Sequence, residues 1–258
     1  MNEISSLVKG TRPEGATCEM EASKKVREMF TQIAPRYDLL NHLLSFELDR
    51  LWRARVAEHL RPVLARPDAL VLDLCCGTGD LAFALARTGK ARILGSDFAH
   101  TMLVRAGAKS RALFTADGPG ATRRMQLFEA DALRLPFADA SLDLVTSAFG
   151  FRNLANYEAG LREIYRVLKP GGMIAILEFS EPPDSFLGDA YRWYFTRALP
   201  RIGRLISGHE SAYTYLRKSV ARFLRPPELA ALMTSVGYQS VEFHEWTMRT
   251  VALHTATR

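Results

Sequence analysis

The chain has 258 residues, 48% of them apolar, enough to bury a sizeable core in one large domain or two small ones. No run approaches the ~18 apolar residues of a membrane span, three cysteines (Cys18, Cys75, Cys76) exclude a disulfide framework, and six dispersed histidines leave no metal-ligand cluster. The net charge of +6 excludes little by itself, because Phe186 to Arg225 carries eight basic and two acidic residues and so accounts for the whole surplus.

Met1 to Glu21 is polar with scattered Pro and Gly and lacks the apolar core of a secretory signal, so residues 1–22 read as a flexible N-terminal arm in a cytoplasmic protein. Ser23 through Ala34 places Val26, Met29, Phe30 and Ile33 at helical spacing, and Pro35 ends the pattern. Glu47 to Leu64 reads as a second helix. Between them, Pro35-Arg36-Tyr37-Asp38-Leu39-Leu40-Asn41-His42 is either a simple connector or part of a lid.

Ala69 to Leu74 is an apolar run with the character of a buried parallel strand, and Asp73 lies within it. It stops at Cys75-Cys76-Gly77-Thr78-Gly79-Asp80, before the helical pattern of Leu81, Leu85 and Ala86. Strand, tight glycine turn and helix together make a nucleotide-sized site: Gly77 and Gly79 let a ligand approach the backbone, and the helix offers free N–H groups. Ile93-Leu94-Gly95-Ser96-Asp97 is a second strand ending in an acid 18 positions after Gly79, where ribose hydroxyls would be held.

Two ligands fit this frame. Gly77-Thr78-Gly79-Asp80-Leu81-Ala82 formally matches the dinucleotide fingerprint of an NAD oxidoreductase. Asp73 would repel a pyrophosphate but attract the ammonium of an amino-acid ligand, which favours S-adenosylmethionine.

Further along, Thr101 to Ala112 reads as a helix, 116–120 as a loose loop and Met125 to Glu129 as a third strand. Asp131-Ala132 follows, and Asp131 is placed either to meet an adenine amine or to cap a turn. A fourth strand opens near Asp143, Glu158 to Leu168 is an amphipathic helix stopped by Lys169-Pro170-Gly171-Gly172, and Met173 to Phe179 is a fifth strand. Five βα units require a mostly parallel sheet covered on both faces, with ligands over the carboxyl edge. Helix Pro227 to Val236 and strands Ser240 to Glu245 and Thr250 to Thr255 complete a seven-stranded α/β fold with an antiparallel edge strand.

Asp73 to Asp80, Asp131, Leu135-Pro136-Phe137, Phe149-Gly150-Phe151-Arg152-Asn153, Tyr165 to Gly172 and Leu177-Glu178-Phe179-Ser180 resemble the menaquinone and ubiquinone C-methyltransferases. The similarity also takes in Tyr37-Asp38, Ser45-Phe46, Trp52, Leu199 to Gly203, Tyr213, Tyr215 and Val251 to His254. It implies a class I S-adenosylmethionine-dependent, Rossmann-like fold forming a single domain over 23–258, with N-terminal helices in 23–66 and a helical substrate or lid insertion at 181–226. Cofactor contacts carry over to Thr78, Asp97, Asp131 and Ala132. The family's serine before the Phe-Gly pair is Ala148 here, and Cys75-Cys76 is closer to the menaquinone branch.

The implied reaction is methylation of a reduced, prenylated quinone: demethylmenaquinol, or alternatively the benzoquinol of ubiquinone biosynthesis. Such a ring carbon becomes nucleophilic when a hydroxyl proton is lost, so the enzyme must position carbon against methyl and stabilise the phenolate. Arg152 and Asn153 are the residues expected to do so, Arg152 through an oriented water or by lowering the hydroxyl's pKa. The aromatic residues among the arginines of 186–225 suit either a helix at an anionic bilayer, peripheral on the inner face of the cell membrane, or an ordinary packed helix. A homodimer stays open.

An RNA methyltransferase would explain the basic charge. Glu181-Pro182-Pro183-Asp184 resembles an amine-methylating motif only in the wrong place, after the fifth strand, and there is no aromatic single-strand platform, so no nucleic-acid partner is expected.

Overall fold

The structure, a computed structural model, describes residues 10–38, 45, 47–114, 125–180, 215 and 218–258. The loop at 116–120, His42, and 186–214 with 216 and 217 of the basic segment lie outside the described residues.

Helix α1 spans Glu19–Ile33. It starts ahead of Ser23, inside the expected arm, because Glu21 accepts hydrogen bonds from the Thr17 amide at 2.8 Å and the Thr17 hydroxyl at 2.7 Å, tying down the first turn. Backbone further back is docked too: the Thr11 amide donates to the Leu154 carbonyl at 2.8 Å. After α1 a 3-10 turn, Ala34–Arg36, carries the chain past Pro35. The expected second helix is split into α2, Leu48–His59, and a single turn α3, Arg61–Leu64. Pro62 has no N–H to continue the ladder but is tolerated at the start of a new turn.

The glycine turn then separates β1 (Leu70–Leu74) from α4 (Asp80–Thr88). Next come β2 (Arg92–Asp97), α5 (His100–Phe114), β3 (Met125–Glu129) and β4 (Leu142–Ala148). A 3-10 turn at Phe151–Asn153 leads to α6 (Tyr157–Val167) and β5 (Leu168–Phe179). The described chain ends with α7 (Pro226–Val236), β6 (Gln239–Trp246) and β7 (Val251–Thr257). Strand β5 begins before Met173 because Leu168 pairs with Leu142, and the Gly171 amide donates to the Arg258 carbonyl at 2.9 Å, so the expected stop signal lies inside the sheet.

The seven strands run in the order β3-β2-β1-β4-β5-β7-β6. β1 to β5 are mutually parallel, and β7 is antiparallel to both β5 and β6. The antiparallel edge is therefore present, with β7 as the reversed strand and β6 outermost. Alternate residues of each central strand feed two cores. Val71, Ile93 and Leu144 pack with Trp52, Val56, Leu81 and Leu85 of α2 and α4. Leu72, Val145 and Ile174 pack with Leu161, Ile164 and Met233 of α6 and α7.

The chain leaves β1 toward β2 and leaves β4 toward β5, in opposite directions along the sheet. That reversal opens a crevice at the carboxyl ends of β1 and β4.

Candidate active site

The turn after β1 is held in left-handed backbone, with φ of 55° at Cys75, 55° at Gly77 and 91° at Gly79. Only glycine adopts this readily, and a Cβ on Gly79 would also meet the Phe83 ring at 2.8 Å. The curl aims the Gly77 amide at Asp97, which accepts it at 2.9 Å on Oδ2 and the Ala99 amide at 2.8 Å on Oδ1. Burial raises the Asp97 pKa to about 6, with the Ala99 and Gly77 amides restraining the shift. Two amides leave lone pairs on both oxygens, so the carboxylate still has capacity for a diol.

Asp73 is 1% exposed. The Thr146 hydroxyl donates to Oδ1 at 3.0 Å, while Oδ2 has no hydrogen-bond partner. Burial pushes its pKa up to about 7, against the pull of the Thr146 hydroxyl and the Arg53 charge. A buried carboxylate oxygen without a partner is costly, and a ligand ammonium is the group that would answer it. These residues fit the sulfonium amino acid nucleoside: an acid for its ammonium, an acid for its ribose, and a turn opened by Gly77 and Gly79 between.

Thr78 is reached from the other side. Its hydroxyl donates to Asp38, and the Lys109 ammonium donates to Asp38 Oδ2 at 3.1 Å, to Thr78 Oγ1 at 3.2 Å and to Asp80. Asp38, within the stretch read as connector or lid, therefore reaches the turn itself, while 39–42 lie outside the described residues. Thr78 is engaged by protein rather than presenting a free hydroxyl.

Asp131 and Ala132 follow β3, joined to Asp97 by the Ala130 amide, which donates to the Asp97 carbonyl at 3.2 Å. Asp131 Oδ1 accepts the Leu133 amide at 2.9 Å, the turn-capping role anticipated as one of its two readings. It also lines a cavity of about 430 Å³ with Phe98, Ala130, Ser23, Lys24 and Arg27. The cavity reaches the Asp97 neighbourhood through Phe98.

Arg152 and Asn153 form part of the 3-10 turn after β4. A Cβ on Gly150 would come within 2.4 Å of the Cys75 Cβ, so this turn is packed directly on the glycine turn. Arg152 is 5% exposed and paired with Glu178 of β5: its amide donates to Oε1 at 3.0 Å and its guanidinium to Oε2 at 2.8 Å. The guanidinium also donates to the Phe149 carbonyl and lies 5.3 Å over the Phe179 ring. Its buried Nε–H has no acceptor.

Sequence reasoning did not assign roles to Glu178, Asp38 or Lys109. Glu178 carried a signal, since a charge inside the apolar run Met173 to Phe179 demands a partner. Lys109 carried none, being one cation on a helix. Burial, then the Asp97 charge, pushes the Cys75 and Cys76 thiols well above their ordinary range, which removes them as nucleophiles.

A sequence profile described as the ubiE/COQ5 methyltransferase family matches residues 18–258. A demethylmenaquinone methyltransferase of Thermus thermophilus is 46% identical over 89% of this chain and 100% of its own length. A ubiquinone/menaquinone biosynthesis C-methyltransferase of Geotalea daltonii is 40% identical over 92% of this chain and 98% of its own. Among solved structures, an S-adenosylmethionine-dependent methyltransferase of Thermotoga maritima, titled a possible histamine N-methyltransferase, superimposes with a TM-score of 0.59 at 19% identity, over 89% of this chain and 98% of that one. At that identity the likeness speaks for the fold alone.

Proposed function

This chain belongs to the ubiE/COQ5 methyltransferase family, and from that premise we propose that it methylates a ring carbon of reduced demethylmenaquinone, with S-adenosylmethionine as donor. When bound, the cofactor supplies an electrophilic methyl group on a sulfonium. The chain's own residues do the rest. Asp73 holds the ammonium, Asp97 the ribose, and Asp131 with Ala132 the adenine edge, while Gly77, Thr78 and Gly79 shape the turn beneath.

The observation that carries the chemistry is the buried, unpaired Nε–H of Arg152 beside that turn. As the hydroquinol loses its proton, negative charge develops on oxygen, and a preplaced donor in a dry site stabilises it far better than water would. Arg152 is too basic to take the proton, so the proton leaves to water while Arg152 and Asn153 hold the oxyanion. The cofactor, when bound, would give its methyl to the ring carbon and leave as S-adenosylhomocysteine, and the proton displaced from that carbon would pass to water as aromaticity returns. Glu178 neutralises Arg152 and fixes its direction.

The naphthoquinol reading rests on the relatives' names and the Cys75-Cys76 pair; the benzoquinol analogue is the alternative. Labelled methyl transfer to each reduced quinone separates them. Arg152→Ala should lower turnover about 10²–10³-fold, the cost of one oxyanion donor, with S-adenosylhomocysteine affinity retained. Because that change strands Glu178, the joint variant Arg152→Gln/Glu178→Gln serves if binding is lost. Near-normal turnover in a binding-competent variant removes Arg152 from the mechanism.

A further inference from the structure

Three stretches far apart in sequence meet at Asn153. Thr11, in the segment before α1, is 7% exposed and places Oγ1 3.1 Å from the Tyr215 hydroxyl. That hydroxyl donates to Asn153 Oδ1 at 2.9 Å. The segment carrying Thr11 is fixed independently: its amide donates to the Leu154 carbonyl at 2.8 Å and Arg12 donates to the Ala155 carbonyl at 2.7 Å.

Counting protons gives the chain a direction. A phenol has one O–H, and here it goes to Asn153, so Thr11 must donate to the Tyr215 oxygen. The amide oxygen of Asn153 is thereby occupied from outside, and its NH₂ is left to donate. Among the described residues that NH₂ has no hydrogen-bond partner. An amide turned the other way would offer a carbonyl oxygen to the reacting ring and repel the oxyanion.

Tyr215 also lines a cavity of about 1020 Å³ shared with Val26, Met29, Tyr157, Lys218 and Arg222. Tyr157, which lines the same cavity, donates its hydroxyl to the Arg152 carbonyl at 2.9 Å. Two phenols at one cavity thus hold the two neighbouring residues of the catalytic turn.

We propose that Tyr215 is a positioning residue for methyl transfer: its hydroxyl, oriented by Thr11, locks the Asn153 amide so that its NH₂ faces the hydroquinol oxygen. This rests on the reading of Asn153 given above. The Tyr215→Phe change removes one oxygen and keeps the ring, and the readouts are kcat, quinol KM, S-adenosylhomocysteine affinity and Tm. Tyr215→Phe should lower kcat about tenfold, with KM and affinity within twofold of the parent and Tm little changed. In an Asn153→Ala background the same substitution should have no further effect, because the group it positions is gone. Thr11→Val should fall in between.

Full kcat in Tyr215→Phe, or an equal loss with and without Asn153, overturns the positioning role while leaving Asn153 in place. Full kcat in Asn153→Ala overturns the reading of Asn153 and this proposal with it.

Discussion

With Asp73 as the proposed partner of the cofactor's ammonium, its ionisation should set how cofactor binding responds to pH. Its pKa near 7 comes from burial, so near neutrality a share of the ligand-free molecules carry it protonated and unable to pair with an ammonium. Below pH 7 the apparent Kd for S-adenosylmethionine should rise about tenfold per pH unit, and Asp73→Asn should weaken binding at pH 8 and flatten that slope. Stability runs the opposite way. The folded pKa values of Asp73 and Asp97, about 7 and about 6, lie above the ~4 of an unfolded carboxyl, so the native state binds more protons between. Their contribution is fully present below pH ~4 and is lost as pH rises through 6 and 7. Calorimetry of binding at pH 6 and 8 tests the first claim; a pH-independent Kd would exclude an ionised Asp73 as the ammonium's partner. Asp73, Gly77, Gly79 and Asp97 were legible in the sequence because each answers a local demand, an acid at a strand end or a residue free to take positive φ. The Arg152–Glu178 pair and the Asp38–Thr78–Lys109 cluster were not, since their partners stand 26, 40 and 31 residues apart and only the tertiary fold brings them together.

Helix α4 and the turn before it behave as one element, and Gly79 is the joint. Its φ of 91° is costly for any side chain, and an added methyl must displace the Phe83 ring. Gly79→Ala should therefore cost about 1–2 kcal/mol from backbone strain alone, or roughly 2–8 °C in Tm for a chain of this size. It should also weaken cofactor binding, because what must give way, the Phe83 ring on the first turn of α4, packs directly against the turn. Thermal unfolding with and without S-adenosylhomocysteine measures both, and an unchanged Tm would show that the turn is not under this constraint. Among the described residues, the existence of each strand and α-helix could be read from periodicity and turn signals. Boundaries failed where a partner intervened: Glu21 on Thr17 started α1 early, Pro62 split the second helix, and pairing with Leu142 and Arg258 drew the Lys169-Pro170-Gly171-Gly172 stretch into β5.

For the whole molecule, the sequence concentrates the surplus of +6 in 186–225, the segment that also carries Tyr215, while Asp73, Asp97 and Asp38 put carboxylates at the glycine turn beside Lys109 and Arg53. The described helices include none long and apolar enough to cross a membrane, yet a prenylated hydroquinone resides in one. Were the basic, aromatic-rich sequence of 186–225 to rest on anionic headgroups, each cation near the surface would contribute about 1 kcal/mol, screened within a Debye length of ~8–10 Å. Attraction of that kind has a salt signature that hydrophobic insertion lacks. In flotation with vesicles, the protein should rise with anionic lipid at low ionic strength, stay behind with purely zwitterionic lipid, and be released from the anionic vesicles as salt approaches 0.5 M. Replacing Arg192, Arg197, Arg201 and Arg204 with Gln should abolish flotation while leaving S-adenosylhomocysteine affinity intact, since none of the four belongs to the cofactor turn. Binding that survives both salt and these substitutions would mean the apolar residues alone carry the attachment. No binding to anionic vesicles at low salt would leave the substrate to be delivered by another carrier.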